Sequence, residues 1–180
     1  MERLRLVFSG SGGQGVITAS ILVAEAAVLY EGLLATQTQT YGPEARGGAT
    51  RSEVIIADSD IHFPKVTQPN VLVCLTQEAY MKFYDIVRPG GLLLTDTKYV
   101  TLLQSVSSRQ VELPMFQAVM DEFNNPVVYN ICMLGAVLAL TEIVKPESVL
   151  KALETRIPSK LLDMNRKALF LGMDMVRAHV

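Results

Sequence analysis

Residues 4–30 read LRLVFSGSGGQGVITASILVAEAAVLY, in which an apolar segment, a glycine-rich turn and a second apolar segment follow one another without a break. The first segment, residues 4–9, is predicted to form a buried strand. Residues 16–30 carry apolar side chains at helical spacing, and Gly32 follows where a glycine commonly ends a helix. A strand, a glycine turn and a helix in this order are typical of α/β proteins, in which helices cover a largely parallel sheet.

The rest of the chain continues this alternation. Further strands are predicted at residues 33–38, 50–57, 71–75, 92–95 and 111–113. Helices are predicted at residues 77–87, 115–123, 129–144, 146–156 and 159–178, so the C-terminal third is helical. The second and third strands are joined by only about ten residues without a helix, which is too short for a parallel crossover. We therefore predict a single domain, residues 1–180, with a Rossmann-like three-layer α/β fold and a mixed, mostly parallel sheet.

Composition and charge exclude several classes of partner. The net charge is −2 and there is no run of Lys or Arg, so nothing attracts nucleic acid or an anionic membrane. The longest apolar run, residues 131–140, is about half of the roughly 20 residues that a membrane span needs. Without features of a signal peptide, a cytoplasmic protein is expected. The 49% hydrophobic content indicates either heavily buried helices or a surface that partner subunits cover.

The last predicted helix carries apolar side chains on two stripes rather than one. One stripe would serve the core, so the second suggests a contact on the other side, such as a partner chain. The stripes are Leu161, Met164, Leu171 and Met175, and Leu162, Leu169, Met173 and Val176. In the preceding helix Gly135, Ala136 and Ala139 would let another backbone approach closely.

Cysteine and histidine usage predicts no metal site. Cys74 and Cys132 lie in apolar stretches and are expected to be reduced core thiols. Two thiols are too few for an iron–sulfur cluster, which usually takes four thiolates. His62 and His179 are isolated, so neither metal-ligand spacing nor a catalytic Ser-His-Asp set can be assembled.

The glycine-rich turn is the first candidate site. It consists of Gly10, Ser11, Gly12, Gly13, Gln14 and Gly15. The G-x-G-x-x-G pattern before a helix can bring backbone N–H groups close to a phosphate. A dinucleotide site also needs an acid at the end of the second strand, where this chain has TQTQT at residues 36–40. The loop either binds an anion or lets strand, helix and a neighbouring chain pack closely, and in both cases we expect Gly12 and Gly13 to tolerate no β-carbon.

A second loop of unusual composition follows the second strand. It consists of Tyr41, Gly42, Pro43, Glu44, Ala45, Arg46, Gly47 and Gly48. Glu44 and Arg46 would point the same way in an extended segment, either as an ordinary solvated pair or as part of a shaped site. Both loops, with Thr76, are predicted to lie at the carboxyl edge of the sheet. Asp96 and Thr97 share this edge, and capping or turn formation is the favoured role for them.

These two loops, in this order and at this separation, resemble the gamma component of the 2-oxoacid:ferredoxin oxidoreductases. Segments at residues 54–58, 69–72, 77–80, 88–91 and 130–136 add to the resemblance. It implies a complex that oxidatively decarboxylates a 2-oxoacid, forms the acyl-CoA and reduces ferredoxin. Thiamine diphosphate and the iron–sulfur clusters would lie on other subunits, CoA would serve the complex, and this chain alone would bind no cofactor. The form YGPEARGG is most similar to 2-oxoglutarate enzymes.

Two functional interpretations follow. In the first, the chain is an accessory subunit, inactive when isolated, whose glycine loops shape an interface near the active site. Its partners would then be the other subunits of the complex, with ferredoxin as electron acceptor, and Arg46 would hold a partner carboxylate or an anion such as a CoA phosphate. In the second, it is a free-standing nucleotide- or flavin-binding protein with a Rossmann-like fold.

Overall fold

A computed structural model describes residues 3–40, 49–103 and 107–179. Within these residues a six-stranded sheet has the order β2-β3-β1-β4-β5-β6. The strands are β1 (Leu4–Gly10), β2 (Leu34–Thr40), β3 (Thr50–Ala57), β4 (Val71–Cys74), β5 (Leu92–Asp96) and β6 (Arg109–Leu113).

The sheet is mixed because β3 runs against both of its neighbours. It pairs antiparallel with β1 and with β2, whereas β1, β4, β5 and β6 pair parallel to one another. The antiparallel arrangement predicted from the short connection is therefore confirmed. It also inserts β3 between β1 and β2, so the ends of β1 and β2 lie two strand spacings apart, roughly 10 Å.

The helices in the described residues follow the sequence pattern closely. They are α1 (Val16–Tyr30), α2 (Gln77–Phe83), α3 (Met115–Phe123), α4 (Tyr129–Thr141), α5 (Pro146–Arg156) and α6 (Ser159–His179). Two predicted ends are wrong. α2 passes at Tyr84 into a single 3-10 turn. α4 stops before residue 144, because Glu142 adopts a left-handed φ of 51° and its N–H bonds to the carbonyl of Leu138, which closes the last turn.

Helices on both faces of the sheet make three layers. One face is covered by α1 and α3–α6, against strand residues such as Leu6 and Phe8. The other face is covered by α2 and the segments around it, against residues of the opposite pleat such as Val7 and Leu72. This arrangement confirms the predicted three-layer fold with its helical C-terminal third.

The close backbone approach expected at Gly135 is found, and its partner is α6 of the same chain. A β-carbon on Gly135 would overlap the backbone carbonyl of Leu169, and one on Gly172 would overlap that of Cys132. Gly172 was not among the positions for which the sequence predicted a close approach. Both stripes of α6 contact this chain's own core: Leu169 and Val176 are buried in it, and Met164, Leu171 and Met175 are half-buried against it. The contact with a partner chain that two stripes suggested stays a prediction. No helix of the described residues is long and apolar enough to cross a membrane.

Candidate functional site at the glycine loop

The glycine loop lies at the switch point of the sheet. It joins β1 to α1 on one face, while the parallel neighbour β4 leads into α2 on the other face. Open α/β sheets bind ligands in the crevice that forms where neighbouring strands send their helices to opposite faces. The predicted position of the loop at the carboxyl edge is therefore confirmed, and a nucleotide would be expected between these two strand ends.

The side chain of Gln14 bridges this crevice. Its Oε1 accepts a hydrogen bond from the backbone N–H of Ser11 (2.8 Å), and its Nε2 donates to the carbonyl oxygen of Leu75 beyond β4 (3.2 Å). The loop is thereby tied to the next strand by its own side chain, and the N–H of Ser11 is occupied. A phosphate at this place would have to displace Gln14.

Two of the loop glycines need their left-handed backbone. Gly13 has a φ of 89° and Gly15 a φ of 74°, conformations that cost an L-residue free energy. Gly12 is different, since it has no positive φ and a β-carbon there would meet nothing within 4 Å. The left-handed backbone at Gly13 supports the expectation that a β-carbon is not tolerated there. At Gly12 no described residue of this chain opposes a β-carbon, so intolerance there stays a prediction that depends on a neighbouring chain.

Gly15 is also required by a side chain from the C-terminal half. Asn130, on α4, donates from Nδ2 to the carbonyl oxygen of Gly15 (3.3 Å), and a β-carbon on Gly15 would lie 2.6 Å from that nitrogen. Asn130 is buried, although it stands in an otherwise apolar helix. That isolated polar residue is the sequence signal that could have identified it as part of the site.

A cleft of about 320 Å³ lies beside the loop, between the start of α1 and the C-terminal helices. Its polar side chains carry hydroxyl and amide groups, and among the described residues neither a carboxylate nor a cation lines it. Such a cleft can take an apolar or hydrogen-bonding group but supplies no acid, base or counter-charge. It is lined by Gly13, Gln14, Gly15, Thr18, Pro126, Val127, Asn130, Ile131, Ile157, Pro158, Leu161 and Asn165.

The second candidate loop, residues 41–48, lies outside the described residues, together with its Glu44 and Arg46. Only its flanks are described. Thr40 ends β2, and Thr50 begins β3 directly opposite Gly10 in the antiparallel register. Both flanks therefore lie at the carboxyl edge of the sheet, on the side of the glycine loop.

Asp96, at the end of β5, is a buried capping residue. Its carboxylate accepts hydrogen bonds from the N–H groups of Lys98 (2.9 Å) and Phe116 (2.7 Å) and from the hydroxyl of Tyr129 (2.9 Å). Burial, and then the negative charge of Asp96, raise the pKa of the Tyr129 hydroxyl far above its usual range. The predicted capping and turn role is confirmed for Asp96. The N–H of Thr97 donates to the carbonyl oxygen of Leu113 at the end of β6 (3.1 Å). Thr76, at the same edge, caps α2 through the N–H of Ala79.

The two cysteines are free and buried on opposite faces of the sheet. Burial raises the pKa of the Cys74 thiol, and burial with the nearby Asp96 charge raises that of Cys132 to about 12. Thiols with raised pKa values on separate faces do not fit an iron–sulfur cluster. Within the described residues no group of three or more His, Cys, Asp or Glu side chains is placed to hold a metal ion.

Fold and site together define a Rossmann-like three-layer domain whose switch-point crevice is bridged by its own glutamine. The chain belongs to the pyruvate ferredoxin/flavodoxin oxidoreductase family, whose model matches residues 5–175. It has the size and architecture of the gamma-type subunits of that family, which confirms the resemblance deduced from the two loops.

Individual relatives agree over nearly the whole chain. The 2-oxoglutarate synthase subunit KorC of Methanocaldococcus jannaschii is 42% identical over 97% of this chain and 95% of its own length. The keto/oxoacid ferredoxin oxidoreductase gamma subunit of Geobacter sulfurreducens superposes with a TM-score of 0.90 at 39% identity, covering 99% of this chain and 98% of that one.

One solved structure carries the same fold inside a longer chain. The 2-oxoglutarate:ferredoxin oxidoreductase of Magnetococcus marinus matches 99% of this chain with a TM-score of 0.88 at 21% identity. The match covers only 32% of that chain, so the same fold occurs both as a separate chain and as a segment of a longer one. None of these relatives supports the interpretation as a free-standing nucleotide- or flavin-binding protein.

Proposed function

We propose that this chain is the gamma subunit of a 2-oxoglutarate:ferredoxin oxidoreductase, a complex that converts the 2-oxoacid to its acyl-CoA and passes the electrons to ferredoxin. The observation that carries the proposal is the agreement with a 2-oxoglutarate synthase subunit at 42% identity, end to end in both chains. The proposal includes a cytoplasmic location, with which two free thiols are consistent.

The role proposed for the chain within the complex is accessory and structural. Thiamine diphosphate and the iron–sulfur clusters would be held by other subunits, because the cysteines described here do not fit a cluster. The carboxylate of Asp96, at the edge of the sheet, already accepts hydrogen bonds from three donors, so it is not available as a catalytic acid or base. The surface proposed for its accessory role is the backbone of the glycine loop, residues 10–15, which Gln14 ties to the end of β4.

That surface is proposed to contact a neighbouring subunit close to the active site. Gly12 and Gly13 are exposed at the tip of the loop, and β-carbons there would meet none of the described residues within 4 Å. A flat backbone surface of this kind allows another chain to approach closely. The second loop, with Glu44 and Arg46, is proposed to extend the same contact, since its flanks meet the sheet beside Gly10.

The test is reconstitution. The purified chain, supplied with 2-oxoglutarate, CoA, thiamine diphosphate and a viologen dye, is expected to reduce no dye, because it lacks cluster ligands among its described residues. Addition of the remaining subunits should restore dye reduction with 2-oxoglutarate in preference to pyruvate. Turnover by the chain alone would contradict the accessory role, and a preference for pyruvate would contradict the substrate.

A further inference from the structure

A cavity of about 370 Å³ opens at the amino-terminal edge of the sheet, opposite the glycine loop. The seven residues of β1 separate the two edges by roughly 20 Å, so the cavity is distinct from the site described above. Cationic side chains dominate its lining, which consists of Arg3, Arg5, Phe63, Lys65, Thr67, Gln68 and Arg88.

Three separate parts of the chain build this cavity, and backbone hydrogen bonds hold them together. Asn70 donates from its N–H to the carbonyl of Arg5 (2.8 Å) and accepts from the N–H of Arg5 through Oδ1 (2.9 Å). The N–H of Arg88 donates to the carbonyl of Pro69 (3.1 Å). Arg5 lies in β1 and Arg3 immediately precedes the strand, and both side chains line the cavity. The segments that carry Arg5 and Arg88 are therefore held in place by hydrogen bonds to residues 69 and 70.

Two of the cations in this cavity, Arg5 and Lys65, have no acidic counterpart among the described residues. In the part of the chain that the structure describes, no carboxylate lines the cavity, and the guanidinium of Arg3 bonds to a backbone carbonyl, that of Asp60 (2.8 Å). In residues 3–40, 49–103 and 107–179, neither Arg5 nor Lys65 has an ion pair with a carboxylate. Like charges gathered around one cavity repel one another, and the chain as a whole has a net charge of −2. The packing of the described residues does not explain why Arg5 and Lys65 line one cavity.

We propose that this cavity is a binding site for a small molecule that carries a phosphate group. The guanidinium fork of Arg5 matches the oxygens of a phosphate, and Lys65 adds a point charge. Thr67 and Gln68 supply hydrogen-bonding groups, and the exposed ring of Phe63 offers an apolar surface to the rest of the ligand. The volume lies in the range of small-molecule sites.

Pyrophosphate and inorganic phosphate serve as probes in the experiment. Their binding to the purified full-length chain is measured by titration calorimetry, and the unfolding temperature is followed at constant ionic strength with chloride as reference anion. We expect pyrophosphate to bind and to raise the unfolding temperature. Arg5→Gln and Lys65→Gln should each weaken binding about tenfold, the loss of one charged hydrogen bond.

Arg166→Gln is the matched control, because it removes one positive charge from an exposed position on α6. It should bind pyrophosphate as the wild type does, which separates a defined site from a general charge effect. Equal weakening in all three variants, or no binding beyond that of chloride, would overturn the proposal.

The same titration on the assembled complex distinguishes a small ligand from a macromolecular one. Binding that persists after assembly supports the proposal. Loss of pyrophosphate binding on assembly would overturn it, because the cations would then be covered by an acidic segment of a partner. The measurement requires no turnover, so its outcome is independent of the proposed oxidoreductase function.

Discussion

A methyl group added at successive glycines of the loop should separate backbone strain from steric overlap. Gly12→Ala is expected to change the free energy of unfolding by less than about 0.5 kcal/mol, because the new β-carbon meets nothing and φ is not positive. Gly13→Ala should cost about 1–2 kcal/mol, the strain of a left-handed L-residue. Gly15→Ala combines that strain with displacement of Asn130, which adds about 1 kcal/mol for the lost hydrogen bond.

The assay is equilibrium denaturation of the isolated chain by urea. A double-mutant cycle with Asn130→Ala isolates the overlap, because the cost of Gly15→Ala should decrease by about 1 kcal/mol when the asparagine is absent. Equal effects at Gly12, Gly13 and Gly15 would refute the reasoning, since the loop would then be a plain solvent turn. An unchanged cost in the Asn130→Ala background would show that Asn130 is not the obstacle.

The same loop positions test the subunit contact in the assembled complex. Gly12→Val and Gly13→Val are expected to lower assembly or dye reduction more than Ser11→Ala does. Gly12→Val is the sharper of the two, because a β-carbon at Gly12 meets no described residue of this chain and φ is not positive, so an effect would point to a contact beyond these residues. Wild-type assembly and activity in all three variants would contradict a contact through the loop.

Three further changes test the core, the buried carboxylate and the second loop. Gly172→Ala gains about 1 kcal/mol of helix propensity but overlaps the carbonyl of Cys132, so urea unfolding should show a net loss of about 1–2 kcal/mol. Tyr129→Phe removes a donor from Asp96 and should lower the unfolding free energy by about 1.5–3 kcal/mol; an unchanged midpoint would contradict this. Arg46→Lys keeps the charge but loses the fork. It should weaken subunit association, or raise the Michaelis constant for CoA, nearly as much as Arg46→Ala does. The expected loss of binding free energy is about 1.5–3 kcal/mol, that of a hydrogen bond to a charged group. No effect on either measurement would make Arg46 an ordinary surface residue.

Local signals in the sequence were sufficient for most of the architecture. The strand, glycine turn and helix at residues 4–30 are read from hydrophobic period and glycine placement, which depend only on near neighbours along the chain. The antiparallel β3 follows from the length of one connection. The capping role of Asp96 is of the same kind, because a carboxylate just after a strand can bond to the N–H groups of the turn that follows.

Tertiary structure alone decided how the site is closed and where the second cavity lies. Gln14 is one of several polar residues in a turn until β4 is placed beside β1 and its side chain can reach Leu75. Asn130 contacts Gly15 across 115 positions of the chain. Arg5 and Lys65 line one cavity only because the segments that carry them meet at the amino-terminal edge of the sheet. Contacts of this kind depend on how elements distant in sequence are packed, and neither periodicity nor capping, which act over a few residues, contains that information.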